Sequence, residues 1–183
     1  MVEIGRRIVV YGAPGSGKTT VASRIAQSIG VPHIELDSVI WLPGWTQKPP
    51  AEFRADVSAL LEKYTDGWVF DGVYPQAREL TLPLADTVVW LRPPLRAAFW
   101  WLLKRTIIRL WKQEPLWDTN YESWRVAFFS RRSLLLYQLT HWRRSQEWTK
   151  QALEEIPHQA SVLELRSVRE IDAFLDSLRP TAT

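Results

Sequence analysis

The sequence predicts an α/β fold in which a parallel sheet of about five strands is covered by helices on both faces. Short runs of β-branched and aromatic residues alternate with longer segments of helical periodicity along most of the 183 residues. A glycine-rich segment at 12–17 joins the first such run to the first helical segment. This alternation is typical of a parallel sheet, because the crossover between two parallel strands is usually a helix. The length fits one domain.

The individual elements follow from local composition. Gly30 and Pro32 end the first helix, and Ser167 with Glu170 forms a capping box that begins the last one. Strands are predicted at 7–11, 33–36, 68–70, 87–91 and 161–165. Helices are predicted at 19–29, 51–64, 95–112, 122–155 (as one or two helices) and 168–178, and loops at 41–50 and 113–120.

Residues 12–19 complete the pattern G-x-x-x-x-G-K-[ST] between a predicted strand and a predicted helix. Glycines let the backbone pass close to a phosphate, which the loop N–H groups and the helix N-terminus then attract. Lys18 is expected to reach the β- and γ-phosphates of a nucleoside triphosphate, and Thr19 to ligate Mg²⁺. The alternative is a turn that only closes a strand–helix unit. The expected nucleotide-binding residues here are Gly12, Ala13, Pro14, Gly15, Ser16, Gly17, Lys18, Thr19 and Thr20.

Composition excludes some kinds of site and suggests one kind of ligand. The chain has no cysteine, so disulfides, thiolate-bound zinc and a cysteine nucleophile are excluded. No stretch approaches about 18 uncharged apolar residues and no apolar signal segment opens the sequence, so a cytoplasmic location is expected. Residues 92–150 contain 12 Lys and Arg against 4 Asp and Glu, whereas the whole chain carries only +3. This asymmetry indicates a segment that handles polyanions.

Two aspartates are expected at the sheet edge where open α/β folds bind their ligands. Asp37 follows the second predicted strand and Asp71 follows the third. Asp71 is the better candidate for holding Mg²⁺ or its waters, because the fourth strand has no acid in its apolar run. Asp37 could take a proton from an attacking hydroxyl, or it could orient a substrate or a metal-bound water. A turn aspartate is the alternative for both.

The helix predicted at 95–112 carries a basic cluster. Arg105, Arg109 and Lys112 are four and three residues apart, so they share one face. That face could neutralise charge on a transferring phosphoryl group, or it could be a solvated stripe. Two further basic pairs stand at 131–132 and 143–144.

Tryptophan is concentrated in the same part of the chain, where eight of the eleven tryptophans lie between positions 90 and 148. Packing in a core or an interface is the expected role of Trp68, Trp90, Trp100 and Trp101. Trp41 and Trp45, in the loop after Asp37, are expected to wall an acceptor pocket. The three histidines are isolated, without metal-ligand spacing.

A series of motifs occurs in an informative order. It comprises the 12–19 loop, Leu36-Asp37-Ser38-Val39-Ile40-Trp41 with Pro43-Gly44-Trp45, Trp68-Val69-Phe70-Asp71-Gly72-Val73-Tyr74, Ala85-Asp86-Thr87-Val88-Val89-Trp90-Leu91, Leu103-Lys104-Arg105, Asn120-Tyr121-Glu122-Ser123 and Glu164-Leu165-Arg166-Ser167. Over roughly 6–178, the chain thereby resembles the adenylate-kinase-like group of P-loop kinases, and most closely its DNA topology modulation (FlaR-type) branch.

The resemblance implies a three-layer P-loop nucleoside-triphosphate-binding fold with a helical lid. The acceptor-binding segment would be at about 38–65 and the lid at about 105–145. Adenylate kinases continue the Asp-Gly motif after strand three with Phe-Pro-Arg, whereas this chain continues it with Val73-Tyr74-Pro75-Gln76. The recognition pattern for a nucleoside monophosphate is therefore broken, and the acceptor stays open.

The resemblance also implies roles for single residues. Lys18 and Thr19 would hold the phosphates of ATP and Mg²⁺, and Asp71 looks like the aspartate of the Asp-Gly motif. Arg105 and Arg109 look like the paired arginines before the lid. Arg166, after the fifth strand, would lie against the base of ATP.

The leading hypothesis is an ATP-dependent phosphotransferase that acts on a nucleotide or a small molecule, with lid arginines closing over the reactants. A second hypothesis is a nucleotide-dependent regulatory or nucleic-acid-binding protein with weak ATPase activity, supported by the basic, aromatic segment 92–150. A third places Phe99 to Trp111 on an anionic membrane surface. No membrane span is expected, and the oligomeric state is open.

Overall fold

The computed structural model describes residues 4–72, 74–113, 115–117, 120–130, 133–154 and 160–178. Its strands are β1 (Arg7–Gly12), β2 (His33–Glu35), β3 (Trp41–Leu42), β4 (Thr46–Gln47), β5 (Trp68–Asp71), β6 (Thr87–Leu91) and β7 (Ser161–Leu165). Its helices are α1 (Lys18–Ile29), α2 (Leu36–Ile40), α3 (Pro50–Lys63), α4 (Pro75–Thr81), α5 (Leu95–Lys112), α6 (Trp124–Phe129), α7 (Leu134–Glu154) and α8 (Val168–Ser177), with a 3₁₀ turn at Leu82–Leu84.

Five strands form one parallel sheet in the order β2-β5-β1-β6-β7. The first strand of the chain is therefore central, and Val9 lies between Phe70 of β5 and Val88 of β6. Strands β5 and β6 are buried along their whole length, as is typical of a sheet covered on both faces. The prediction of an α/β fold with about five parallel strands is confirmed.

Side chains of β1 alternate between two apolar clusters, one on each face of the sheet. Val9 and Tyr11 belong to one cluster, together with Phe53 of α3. Ile8 and Val10 belong to the other, where α1 and α8 cover the sheet. Because successive strand residues point to opposite faces, one short strand anchors both outer layers.

The segment after β2 differs from the prediction. The strand ends at Glu35, and α2 begins at Leu36, so the predicted strand residue Leu36 is helical and Asp37 lies in the first turn of a helix. Leu36 and Ile40 are both buried, four residues apart, which is the spacing that holds one helix face against the core. The predicted loop 41–50 contains the hairpin β3–β4, with φ 58° at Trp45 in its turn.

Helix α4 and the start of helix α8 can be compared with the sequence prediction. Helix α4 was not predicted, and it begins with Pro75 at its first position. The predicted capping box is present on one side: the Ser167 hydroxyl accepts a hydrogen bond from the Glu170 N–H at 3.2 Å. The Glu170 carboxylate accepts a hydrogen bond from the Arg166 N–H at 2.7 Å, one residue before the expected partner Ser167.

In the described part of the chain, no helix combines the length and apolarity needed to cross a membrane.

Candidate active site

The loop between β1 and α1 is shaped by three glycines. Gly15 and Gly17 have φ of 71° and 91°, which is the left-handed region that favours glycine. At Gly12, an added Cβ would lie 2.4 Å from the Ser16 hydroxyl oxygen. That hydroxyl is buried and has no hydrogen-bond partner among the described residues. The loop thus leaves backbone and a side-chain donor arranged for a ligand.

Helices α5 and α7 support the loop from behind. A Cβ on Gly15 would lie 2.4 Å from the Ala98 carbonyl oxygen and 2.8 Å from Leu102 Cβ, so the loop packs directly on α5. The buried Gln138 of α7 donates a hydrogen bond from Nε2 to the Pro14 carbonyl at 2.6 Å. The phosphate-binding loop is therefore fixed by contacts from residues about 85 and 124 positions away.

We expect Gly15→Ala to lower the free energy of unfolding by about 2–5 kcal/mol, because it combines left-handed strain with a clash against helix backbone. Gly17→Ala is the matched control: its φ is also positive, but nothing lies within 4 Å of an added Cβ. It should cost only the strain, about 1–2 kcal/mol. Urea unfolding of both variants measures the difference. Equal losses would contradict the tight packing of Gly15 on α5.

Lys18 lies at the centre of a cluster of charges. Its ammonium donates a hydrogen bond to the Ala13 carbonyl at 3.1 Å. Burial lowers the pKa of Lys18, whereas the carboxylates of Asp37 and Asp71 act in the opposite direction. Arg105 lowers this pKa further, and Glu35 raises it. The structure therefore brings four of the predicted catalytic residues together around the loop.

Asp71 ends β5 as a fully buried carboxylate. His33 Nε2 lies 3.6 Å from Asp71 Oδ1, so His33 is not the isolated side chain that its spacing suggested. Neither oxygen of Asp71 accepts a hydrogen bond from any described residue. An ionised carboxylate buried in this way needs a cation nearby. Lys18 supplies part of that charge.

The donor set also fits Mg²⁺. The Asp71 oxygens lack hydrogen-bond donors, and Thr19 is at the exposed start of α1. Among the described residues, no group of three or more His, Asp or Glu side chains is arranged to hold a metal. Mg²⁺ does not require such a group, because it usually keeps several waters and binds one or two protein oxygens plus substrate phosphates.

Asp37 is held by a residue that sequence interpretation missed. The Tyr74 hydroxyl donates a hydrogen bond to Asp37 Oδ1 at 2.5 Å. Burial raises the pKa of Tyr74, and the neighbouring Asp37 carboxylate raises it further, so the phenol stays protonated and remains a donor. Tyr74 precedes the first residue of α4, and no local pattern points from it to a residue 37 positions earlier.

Glu35 is a second missed residue. Burial raises its pKa, and the nearby carboxylates Asp71 and Asp37 raise it as well, whereas a hydrogen bond with Trp117 lowers it. It pairs in register with Asp71 across β2 and β5. A signal was present in the sequence, since an acidic residue at the last position of a short strand lies at the ligand-binding edge of a parallel sheet.

The arginines of α5 separate into an inner and an outer position. Arg105 is largely buried: burial and then Arg109 lower its pKa, while Glu122, Asp37 and Glu35 raise it. Arg109 Nη1 lies 3.7 Å from Glu122 Oε1, and Glu122 was not among the predicted site residues. Lys112, predicted to share their face, is exposed at the end of the helix. A shallow depression of about 340 Å³ on the surface of α5 is lined by Trp101, Lys104, Arg105, Ile108 and Arg109.

Arg166 does not join this cluster through any contact that the described residues show. It is exposed, and its guanidinium lies 2.6 Å from Glu164, which also binds Arg92 at 2.9 Å. Strand β7, which it follows, is at the opposite edge of the sheet from β2. Its predicted role near the base of a nucleotide stays a prediction.

The hairpin β3–β4 brings the predicted pocket tryptophans to the site. Trp41 and Trp45 meet edge to face at 5.8 Å, and Trp117 contacts Trp45 in the same way at 5.9 Å. The buried Asn120 joins this hairpin to the segment after α5: its Oδ1 accepts from the Trp45 N–H at 2.8 Å, and its Nδ2 donates to the Leu42 carbonyl at 3.1 Å. The predicted acceptor segment and the predicted lid therefore touch.

The four tryptophans that were predicted to pack in a core or an interface differ in how deeply they are buried. Trp68 and Trp90 are buried in the core as predicted, and Trp101 packs partly buried against the cluster formed with α1 and α8. Trp100 is 62% exposed, which excludes the core and leaves the interface alternative of the prediction. It lies on the outer face of α5, because the neighbouring inner positions Ala98 and Leu102 face the loop. The basic pair 131–132 lies outside the described residues.

The parallel sheet and the glycine-rich loop between its central strand and α1 define an α/β fold with a P-loop. Residues 8–64 match the family described as "ATPase family associated with various cellular activities (AAA)". An adenylate kinase of Bacteroides fragilis is 33% identical over 100 residues, which cover 43% of this chain and 53% of that protein. An N-glycosylase/DNA lyase of Aeropyrum pernix is 38% identical over 45 residues, 24% of this chain and 16% of that protein.

Solved structures show the same fold. A sugar kinase from Janibacter has a TM-score of 0.52 at 18% identity, covering 96% of this chain and 99% of that chain. Shikimate kinase from Acinetobacter baumannii, in complex with shikimate, has a TM-score of 0.53 at 16% identity, covering 94% and 90%. The chain thus has a P-loop kinase-like fold. The matched segment spans about half the length of the Bacteroides adenylate kinase (53%).

Proposed function

We propose that this chain is an ATP-dependent phosphotransferase, a kinase of a nucleotide or a small molecule. The observation that carries the proposal is the convergence of Lys18, Asp37, Asp71 and Arg105 around the loop 12–19. Cations are needed where charge develops on a transferring phosphoryl group, and carboxylates where a metal or an acceptor is held. The similarity to an adenylate kinase and the fold of the sugar and shikimate kinases support it. Assignment to the FlaR-type branch stays a prediction.

Each group has a role that its surroundings support. Lys18 and the loop N–H groups bind the ATP phosphates. Arg105 and Arg109 neutralise charge on the phosphoryl group during its transfer. Thr19 and Asp71 would hold Mg²⁺, which would supply positive charge against the negative charge of the phosphates. Segment 38–65 binds the acceptor, and segment 105–145 acts as a lid over both reactants, excluding water.

The acceptor side of the site favours a hydroxyl over a phosphate. Three carboxylates, Glu35, Asp37 and Asp71, lie near one another there. A second phosphate among them would be repelled, whereas an uncharged hydroxyl can donate to Asp37 and pass its proton to it. The indoles of Trp41 and Trp45 offer apolar faces to a compact acceptor. We therefore propose a small hydroxylated acceptor.

Transfer of label from ATP·Mg²⁺ across a panel of acceptors tests the proposal. The panel contains nucleoside monophosphates, nucleosides and small polyols or hydroxy acids. We expect transfer to a hydroxylated compound, and a fall in kcat of about 10²–10⁴ for Asp37→Asn if the carboxylate takes the proton. Asp172→Asn, which removes an exposed carboxylate of α8 outside the acceptor segment and the lid, is the matched control and should retain the wild-type rate.

Other outcomes identify which part fails. Transfer only to monophosphates, with Asp37→Asn unaffected, would overturn the hydroxyl acceptor but keep the kinase. Tight ATP binding with slow hydrolysis and no transfer to any acceptor would overturn the kinase. It would favour the nucleotide-dependent regulatory or nucleic-acid-binding protein, which salt-dependent binding to DNA in the presence of ATP would then test.

A further inference from the structure

Helix α5 has two faces with opposite surroundings. Its inner face is buried through Ala98, Leu102, Thr106 and Leu110, and two of these residues touch Gly15 of the phosphate-binding loop. On its outer face, exposed residues recur every three or four positions, so their side chains form one stripe along the helix. This outer stripe consists of Arg96, Trp100, Lys104, Ile107, Ile108 and Trp111.

The outer stripe leaves much apolar surface in water. Trp111 is 84% exposed and Trp100 62%. A buried tryptophan removes about 150–250 Å² from water, so covering two of them contributes substantially to binding. Of the fourteen exposed large hydrophobic residues in the described part of the chain, eleven lie between Trp100 and Leu139. Four of these, Trp100, Ile107, Ile108 and Trp111, lie on the outer stripe, and exposed apolar residues grouped on one helix face are typical of an interaction surface.

The charged residues of α5 restrict which kind of surface can bind its outer stripe. The helix contains five Lys and Arg residues and no Asp or Glu. Arg105 and Arg109 face the site and Glu122, whereas Arg96 and Lys104 stand on the outer stripe among the indoles. The surface that meets the stripe must therefore be anionic and apolar at once.

A second copy of the chain does not meet this requirement. Two outer stripes packed together would bring Arg96 and Lys104 of each copy into one contact that contains no carboxylate from α5. Nucleic acid supplies phosphates, but Ile107 and Ile108 gain nothing from them. An anionic bilayer surface supplies both parts, because indoles settle at the headgroup level while Lys and Arg reach the lipid phosphates.

We propose that α5 docks its outer stripe flat on an anionic lipid bilayer, so that the protein is a peripheral membrane-surface binder. With 18 residues the helix is about 27 Å long, enough for four turns to lie in the interfacial plane. The loop packs against the opposite side of the helix, so docking leaves the inner contacts with Gly15 in place. The stripe contains none of the proposed catalytic residues, and its test measures binding without nucleotide, so the proposal does not depend on the kinase reaction.

Cosedimentation of the full chain with vesicles tests this, without nucleotide. Vesicles of phosphatidylcholine with about one third phosphatidylglycerol should pull down the protein at 0.1 M salt, and pure phosphatidylcholine vesicles should not. Trp100→Gln with Trp111→Gln should lower the partition coefficient at least about tenfold. Leu84→Gln with Val162→Gln removes two exposed apolar side chains elsewhere, 47% and 48% exposed, and should bind like the wild type.

Three results would overturn the proposal. They are absence of binding to the anionic vesicles, an equal loss in the control variant, and a lipid-independent dimer that only the double tryptophan variant disrupts. Circular dichroism checks that each variant is folded. Trp100→Gln alone, which lies outside the segment 105–145, should keep wild-type phosphoryl transfer in solution, so failure of membrane binding and failure of the kinase proposal are read separately.

Discussion

Lys18→Ala should abolish phosphoryl transfer from ATP, with a loss of at least about 10³-fold in kcat, while the chain stays folded. The side chain contributes its charge at the loop and packs against no apolar cluster. Burial already lowers the pKa of Lys18, so the folded protein retains this ammonium because three neighbouring carboxylates, at positions 35, 37 and 71, favour its charge. Steady-state transfer and thermal unfolding, measured on the same preparation, separate loss of catalysis from loss of structure.

Lys150→Ala is the matched control, since it removes an exposed ammonium of α7 outside the acceptor segment and the lid. It should leave the rate within about twofold of the wild type. The assignment of Lys18 to the phosphates would be wrong if Lys18→Ala kept a substantial part of the wild-type rate. It would also be wrong if activity fell only in proportion to the unfolded fraction.

Asp71→Asn should lower the rate at saturating ATP by at least about 100-fold and raise the Mg²⁺ concentration needed for half-maximal rate. The substitution preserves shape, so the packing of β5 is kept. It removes a charge that no described residue satisfies by hydrogen bonding. Titrating Mg²⁺ at fixed ATP distinguishes a metal ligand from a residue that only positions Lys18, because the latter would lower the rate without shifting the Mg²⁺ dependence.

Asp66→Asn, in the exposed turn before β5, is the control for this variant and should leave both quantities unchanged. A Mg²⁺ dependence identical to that of the wild type in Asp71→Asn would remove Asp71 from the metal site. Thr19 would then be the only one of the two proposed ligands still in place.

Much of the fold was predictable because its signals are local. The bounds of β6, α5 and β7 agree with the sequence prediction, since an apolar run, a pair of prolines and a turn mark them directly. Helix α2 was missed because its five residues are shorter than the window in which periodicity is visible. The hairpin β3–β4 was missed because its two-residue strands depend on contacts with Asn120, far along the chain.

Local signals also predicted part of the candidate site. The proximity of Lys18, Asp37 and Asp71 was predictable because strand ends converge at one edge of a parallel sheet, whereas their roles stay predictions. Tyr74 and Glu122 were not predictable, since each acts through one partner, Asp37 or Arg109, that only the folded chain brings near. For Trp100 the sequence left a core and an interface role open, and the position of the residue on the exposed side of α5 excludes the core.

The side-chain amide of Asn120 connects the hairpin to the segment that pairs with α5. It bonds to the hairpin at Trp45 and Leu42, and two residues later Glu122 pairs with Arg109. In the proposed kinase this chain of contacts runs from the acceptor segment to an arginine of the phosphate side. Any coupling that it carries would change the affinities for ATP and for the acceptor by one and the same factor.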